Sequence, residues 1–167
     1  MAFAPHGKRE IWTEGRILMS RNRGPFNVEL LKMSTEQTRA ERIRLTESGP
    51  WGSIAVISES VLFTPEALEM VRRNMSDPVR NGNLVASAFV LSDDTVGKSL
   101  AEAIFRPVYG LAGAEFRVFD TLEPAREWVE SLIEEASRRE KSGSDDAGPE
   151  AVASEPAPNG PESERRQ

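Results

Sequence analysis

The fold of this chain is decided by residues 49–75, GPWGSIAVISESVLFTPEALEMVRRNM, which combine a turn, an apolar run and a helix start. Ser53–Ile57 is a short and mostly β-branched run behind a Gly-Pro-Trp-Gly turn, a composition typical of a strand buried on both faces. Thr64 precedes a Pro-Glu pair, so its hydroxyl can cap a helix whose first turn carries a favourable negative charge. A buried strand followed by an amphipathic helix predicts half of a crossover unit, which a parallel strand completes.

Elements of the same two kinds flank this unit. The sequence predicts further strands at Lys8–Thr13, Arg16–Ser20, Leu84–Leu91 and Glu115–Phe119, and further helices at Val28–Arg44, at Val96–Val108 and from a capping box at Asp120–Glu123. The first of these helices has the poorest apolar periodicity, with Leu31, Thr38 and Ile43 among its inward candidates. The order predicts a small α/β fold: a mixed sheet of about five strands, parallel at its core, with four helices.

The 167 residues suggest one domain with some excess at the C-terminus. From Arg138 to Gln167 the only sizeable aliphatic residue is Val152, amid Pro, Ser, Gly, Ala and charged residues. Such a composition cannot offset the entropy of ordering the chain. We therefore expect a frayed N-terminus over residues 1–8, an α/β domain over 9–137 and a disordered acidic tail over 138–167.

The amino-acid composition limits the compartment and the kinds of partner that the protein can have. The chain has no cysteine, which excludes disulfides and thiolate chemistry and favours a reducing compartment. We expect a cytoplasmic protein, because no run is long and apolar enough for a membrane span and residues 1–10 lack the apolar core of a secretory signal. A net charge of −6 argues against a nucleic-acid partner.

Polar residues follow each predicted parallel strand, at the edge where open α/β sheets usually place ligands. Ser58, Glu59, Ser60 and Thr64 follow the central strand and form a candidate binding or phosphorylation loop. Other side chains expected at this edge, as an anion or ligand site, are Arg21, Arg23, Asn27, Asp93, Asp94 and Asp120. Ser, Thr and Asp at strand-to-helix junctions are also common helix caps, which is the alternative interpretation of the same pattern.

No catalytic constellation is visible in the sequence. His6 is the only imidazole, so a Ser-His-Asp triad would need the N-terminal residues to fold into the site. The adjacent pair Asp93 and Asp94 lacks the further oxygen ligands that Mg²⁺ needs, and a solvated loop explains it better. The sequence therefore predicts neither a catalytic site nor a cofactor nor a metal.

Several short motifs resemble the SpoIIAA-like bacterial proteins of the STAS group, the sulfate transporter and anti-sigma factor antagonist domains. They are Ile11-Trp12, Gly24-Pro25-Phe26-Asn27, the Trp51 strand, Thr64-Pro65-Glu66-Ala67-Leu68, and Val118-Phe119 with Ala125-Arg126-Glu127-Trp128-Val129. The resemblance spans roughly residues 9–134 and implies a small α/β layer with regulatory or ligand-binding roles. The Asp-Ser-Ser-Gly loop that is phosphorylated in anti-sigma antagonists is replaced here by residues 58–65, SESVLFTP.

Two functions are compatible with these sequence features. The first is a non-catalytic regulatory or protein-interaction module of SpoIIAA/STAS type, which docks a protein partner and is switched by phosphorylation of its polar loop. The alternative is a carrier or sensor of a small apolar or amphipathic, lipid-like ligand, suggested by Leu62 and Phe63 in that loop. A homodimer is compatible with either function.

Overall fold

In a computed structural model that describes residues 9–146, the chain forms one five-stranded sheet with helices on both faces. The strands are β1 (Arg9–Glu14), β2 (Ile17–Arg23), β3 (Trp51–Ser58), β4 (Leu84–Leu91) and β5 (Glu115–Phe119). They lie in chain order; β1 and β2 form an antiparallel hairpin, and β2 to β5 are parallel. The predicted mixed sheet with a parallel core is confirmed, and β3 is its central strand.

Five helices connect and cover the strands: α1 (Val28–Ser48), α2 (Pro65–Met75), α3 (Pro78–Asn81), α4 (Ala101–Gly110) and α5 (Leu122–Asp146). Four of them match the predicted helices, and α3 is an additional single turn. It forms because the Asp77 side chain accepts a hydrogen bond from the Val79 N–H at 3.0 Å, directly before Pro78. The helix predicted from Val96 instead begins with a 3₁₀ turn at Lys98–Leu100, which follows Gly97 in a left-handed conformation.

α5 extends past Ser137, where we expected the domain to end, and reaches Asp146. Residues 138–141 are Arg, Arg, Glu and Lys, which have good helix propensity, and Arg139 pairs with Glu135 one turn earlier at 2.6 Å. The boundary predicted at residue 137 therefore falls inside a helix. The predicted frayed residues 1–8 and the rest of the predicted tail, residues 147–167, lie outside the described part of the chain.

The two faces of the sheet are covered differently. α5 packs directly on β3 and β4, and its Val129 and Ile133 side chains contact a fully apolar layer that includes Ile54 and Ala88. On the other face, α1 rests mainly on α2 and α3 rather than on the strands. The space between α1 and the sheet holds the candidate site.

In the described part of the chain, no helix has both the length and the apolar character required to cross a bilayer.

Candidate functional site

A cavity of about 100 Å³ lies between the sheet and the helices α1 and α2. Its floor is formed by alternate residues of two neighbouring strands, Ser20 and Asn22 of β2 and Ser53 and Ala55 of β3. Alternate side chains point to the same face of a strand, so this half of the sheet presents a polar surface to the cavity. Asn22 donates from Nδ2 to Ser20 Oγ at 2.9 Å, so these two polar side chains of the floor are hydrogen-bonded to each other.

The roof of the cavity is a polar stripe on α1. Ser34, Thr38 and Arg42 recur every four residues and therefore lie along one face of the helix. Ser34 and Thr38 are 6% and 3% exposed, although both are polar. The Thr38 hydroxyl donates to the Ser34 carbonyl at 2.8 Å, and its oxygen accepts from Arg42 Nε at 3.3 Å. α1 thus turns hydrogen-bonding groups inward where a core helix would place apolar ones.

Arg42 is held in a fixed position at one end of this stripe. Its Nη1 donates to Asn81 Oδ1 at 2.8 Å, and its guanidinium carbon lies 5.6 Å from the centre of the Trp51 ring. Asn81 is itself anchored, because its Nδ2 donates to the Asn74 carbonyl at 2.7 Å. Burial lowers the pKa of Arg42, since the charged form loses hydration.

Arg9 reaches the cavity from the edge strand β1. Its Nη1 donates to Ser34 Oγ, while its Nε is buried and has no hydrogen-bond partner among residues 9–143. Burial lowers the pKa of Arg9 to about 10, and the nearby charge of Arg42 acts in the same direction. Two half-buried arginines therefore extend into the same cavity.

No aspartate or glutamate lies among the described residues that line the cavity. A third lining arginine, Arg80, has a carboxylate partner in Asp77 at 3.4 Å. Within residues 9–143, where side chains are described, Arg9 and Arg42 form no such ion pair. The charge of these two arginines is therefore not neutralised by the described part of the chain.

Part of the cavity lining is aromatic. Phe26 and Phe63 have ring centroids 4.7 Å apart, and Phe105 lies 5.0 Å from Phe63 and 4.9 Å from Phe89. Tyr109 adds a phenol to this lining and stacks on Phe116, and burial raises the pKa of its hydroxyl. The cavity lining is thus amphipathic, because it combines aromatic rings with arginines and hydroxyl groups.

The site predicted from the sequence lies elsewhere, at the carboxyl ends of the parallel strands. The structure does bring much of it together there: Arg23 of β2 pairs in register with Ser58 of β3, and Arg23 and Glu59 form an ion pair at 2.5 Å. Lys98 joins the loops after β4 and β5, because its Nζ contacts both Asp93 and Asp120, at 2.7 and 2.5 Å. Hydrogen bonding to Arg23 lowers the pKa of Glu59, and hydrogen bonding to Lys98 lowers the pKa of Asp93.

The other predicted residues have local partners. Asn27 caps α1 by accepting from the Leu30 N–H at 3.0 Å, and Thr64 caps α2 by accepting from the Ala67 N–H at 3.2 Å. The remaining contacts are Ser60 Oγ with the Leu62 N–H, Asp94 with the Ser92 hydroxyl, and Arg21 with Glu10 and the Trp12 ring. None of the predicted site residues lines the cavity, and a binding role for them stays a prediction.

Sequence reasoning missed the cavity residues for a simple reason. Polar residues at Ser34, Thr38 and Arg42 weaken the apolar periodicity of α1, and weak periodicity on its own indicates only an uncertain helix. The signal that would have found them is the polar stripe itself, at a spacing of four residues, on a helix that must face a sheet. Thr38, expected to point inward, is indeed buried.

Within residues 9–146, no cluster of His, Asp or Glu side chains has the arrangement needed to hold a metal ion. The chain matches no protein-family model, no curated protein and no solved structure, so the resemblance to STAS domains stays a prediction from sequence motifs.

Proposed function

We propose that the protein is a non-catalytic carrier or sensor of a small amphipathic ligand, which it binds in the cavity between the sheet and α1. The observation that carries this proposal is the amphipathic lining, in which aromatic rings such as Phe63 and Phe105 share one cavity with Arg9 and Arg42. Ligand pockets in proteins typically combine apolar walls with a few fixed polar groups that orient the ligand.

The cavity is larger than ordinary packing defects. A single water molecule needs about 10–15 Å³ of such space, so 100 Å³ admits several waters or a small organic molecule. A lining of serine, threonine and asparagine side chains provides hydrogen-bonding partners for either occupant. Because natural cores are close-packed, a space of this size with convergent polar groups supports binding rather than a structural role.

The test compares the protein purified without stripping with a variant whose cavity is filled. In Ala55→Leu, three additional carbon atoms occupy the cavity floor, while Ala40→Leu makes the same change on the exposed side of α1. We expect native mass spectrometry to detect a bound small molecule in the wild type and in Ala40→Leu. The Ala55→Leu variant should lack it.

Two results would contradict the proposal. One is a wild-type protein with the same mass under native and denaturing conditions, which would mean that nothing is bound. The other is equal occupancy in Ala55→Leu and Ala40→Leu, which would place the ligand outside the cavity.

We propose docking of a protein partner as a second candidate function, because exposed apolar side chains adjoin the polar edge. Leu62, Val96 and Leu100 are 39%, 56% and 54% exposed and lie around Gly97, next to the loop that holds Ser58 and Glu59. Ser58 and Thr64 are exposed and accessible to a kinase, whereas Ser60 is buried. Phosphosite mapping of protein from its native cell tests this candidate: all three residues unmodified under every condition would argue against a phosphorylation switch.

A cytoplasmic location and a homodimer belong to the same proposal. The absence of cysteine supports the location, since a reducing compartment makes no use of disulfides. Light scattering during size-exclusion chromatography tests the dimer directly.

A further inference from the structure

We infer that the ligand of this cavity is an anion, and that its acid group, a carboxylate or a phosphate, lies between Arg9 and Arg42. This inference rests on the proposed binding function and specifies the chemical class of the ligand. The juxtaposition of two guanidinium groups in one cavity carries it.

Charge balance in the cavity favours an anion. Arg9 and Arg42 face the same space, and no carboxylate among the described lining residues compensates them. Unpaired charges are rarely buried in proteins, because the lost hydration is costly unless an opposite charge replaces it. An anionic ligand would supply that opposite charge, whereas a neutral ligand would leave both arginines uncompensated.

The hydrogen-bond donors are arranged to receive an acid group. Arg9 contacts Ser34 and Arg42 contacts Thr38, and these two residues are one helical turn apart on α1, about 6 Å along the axis. Among the described residues, the buried Arg9 Nε has no hydrogen-bond partner, so the guanidinium is not fully satisfied by the fold. Guanidinium groups bind carboxylate and phosphate oxygens with charge-assisted, often bidentate hydrogen bonds.

The rest of the lining suits the remaining atoms of such a ligand. Besides the arginines, the cavity is lined by aromatic side chains, among them Phe63 and Phe105. A ligand with its acid group at the arginines can place an apolar body against these rings. This selects small acids with an apolar body rather than inorganic anions alone.

The experiment uses pairs of probes that share a shape and differ in charge. Benzoate is compared with benzamide, and hexanoate with hexanamide, by isothermal titration calorimetry on the full chain freed of any co-purified ligand. Inorganic phosphate is then added as a competitor. The variants are Arg9→Gln and a matched control, Arg39→Gln, because Arg39 is an exposed residue of α1 outside the cavity lining.

We expect the acids to bind more tightly than their amides. Hydrogen bonds to charged groups suggest that Arg9→Gln weakens acid binding about tenfold to a hundredfold, with amide binding unchanged. Arg39→Gln should bind like the wild type. Arg42→Gln should weaken acid binding in the same way, provided that circular dichroism shows this variant to be folded. If phosphate competes with the acids, the site also accepts phosphorylated ligands. If phosphate does not compete, the site is restricted to carboxylates.

Specific results would overturn the inference. Amides that bind as tightly as the acids, or acid binding unaffected by Arg9→Gln, would refute the anion site and leave the cavity as a site for neutral ligands. If neither acids nor amides bind and native mass spectrometry finds no bound molecule, the proposed function fails as well.

Discussion

Replacing Arg9 by methionine should stabilise the ligand-free protein. Most substitutions of partly buried residues destabilise a fold, so this expected sign is unusual. It follows from the position of Arg9, whose buried Nε has no hydrogen-bond partner in the described part of the chain and whose charge lies near that of Arg42. Methionine keeps the unbranched aliphatic stem and removes the charge.

The magnitude follows from the pKa of Arg9. Burial lowers this pKa to about 10, well below the ordinary value of a guanidinium group. At about 1.36 kcal/mol for each pKa unit, the buried charge costs about 3 kcal/mol at neutral pH. Losing the hydrogen bond to Ser34 offsets about 1 kcal/mol of this gain. We therefore expect Arg9→Met to raise the free energy of unfolding by about 2 kcal/mol.

Urea-induced unfolding at pH 7 measures the difference, with Arg39→Met as the matched exposed control. The pH dependence provides a second readout. Because the pKa of Arg9 is lower in the folded protein, the unfolded state binds more protons between about pH 10 and 12.5. The cost of the charge is present in full below pH 10 and declines above it, so the advantage of Arg9→Met should shrink as pH rises through this window.

A loss of stability in Arg9→Met would refute this reasoning, because it would mean that a group outside the cavity lining already compensates the guanidinium. A gain equal to that of Arg39→Met would show that the effect reflects net charge rather than burial.

Three further predictions concern the fold. Thr64→Ala should destabilise by about 1 kcal/mol through loss of the α2 cap, while Thr64→Ser should not; unchanged urea melting of Thr64→Ala would contradict the capping role. Gly52→Ala should cost about 1–3 kcal/mol, because a Cβ there would collide with Val129 of α5, and a change below about 0.5 kcal/mol would show that α5 shifts freely. Truncation after Ser137 should leave the melting temperature nearly unchanged, since side chains 138–143 are exposed, and a large decrease would show that these residues pack.

Much of the fold could be predicted because its elements have clear local signals. β4 and β5 have the predicted bounds, Leu84–Leu91 and Glu115–Phe119; β4 is a mostly apolar run, and β5 alternates charged and apolar residues before a turn. The α2 start at Thr64 and Pro65 is equally clear. Local sequence fixes such boundaries because capping residues and apolar runs act over only a few positions.

The cavity could not be predicted, because it depends on how far α1 stands from the sheet. That distance is set by contacts of α1 with α2 and α3. Arg42 bonds to Asn81, and Thr35 bonds to Asn74; in each pair the two residues are 39 positions apart in the sequence. Part of the predicted edge does come together, because the carboxyl ends of parallel strands share one edge: Arg23 meets Glu59, and Lys98 joins Asp93 to Asp120.

The central strand shows how one sheet can provide both stability and a binding site. Ile54 points toward α5 and is fully buried in an apolar layer, while its neighbours Ser53 and Ala55 point into the cavity. Because successive side chains alternate between faces, polar residues toward the cavity do not disturb the packing against α5. The apolar layer can thus stabilise the fold while two uncompensated arginines on the other face destabilise it. Such a separation is what a binding site requires when its charges are balanced only by its ligand.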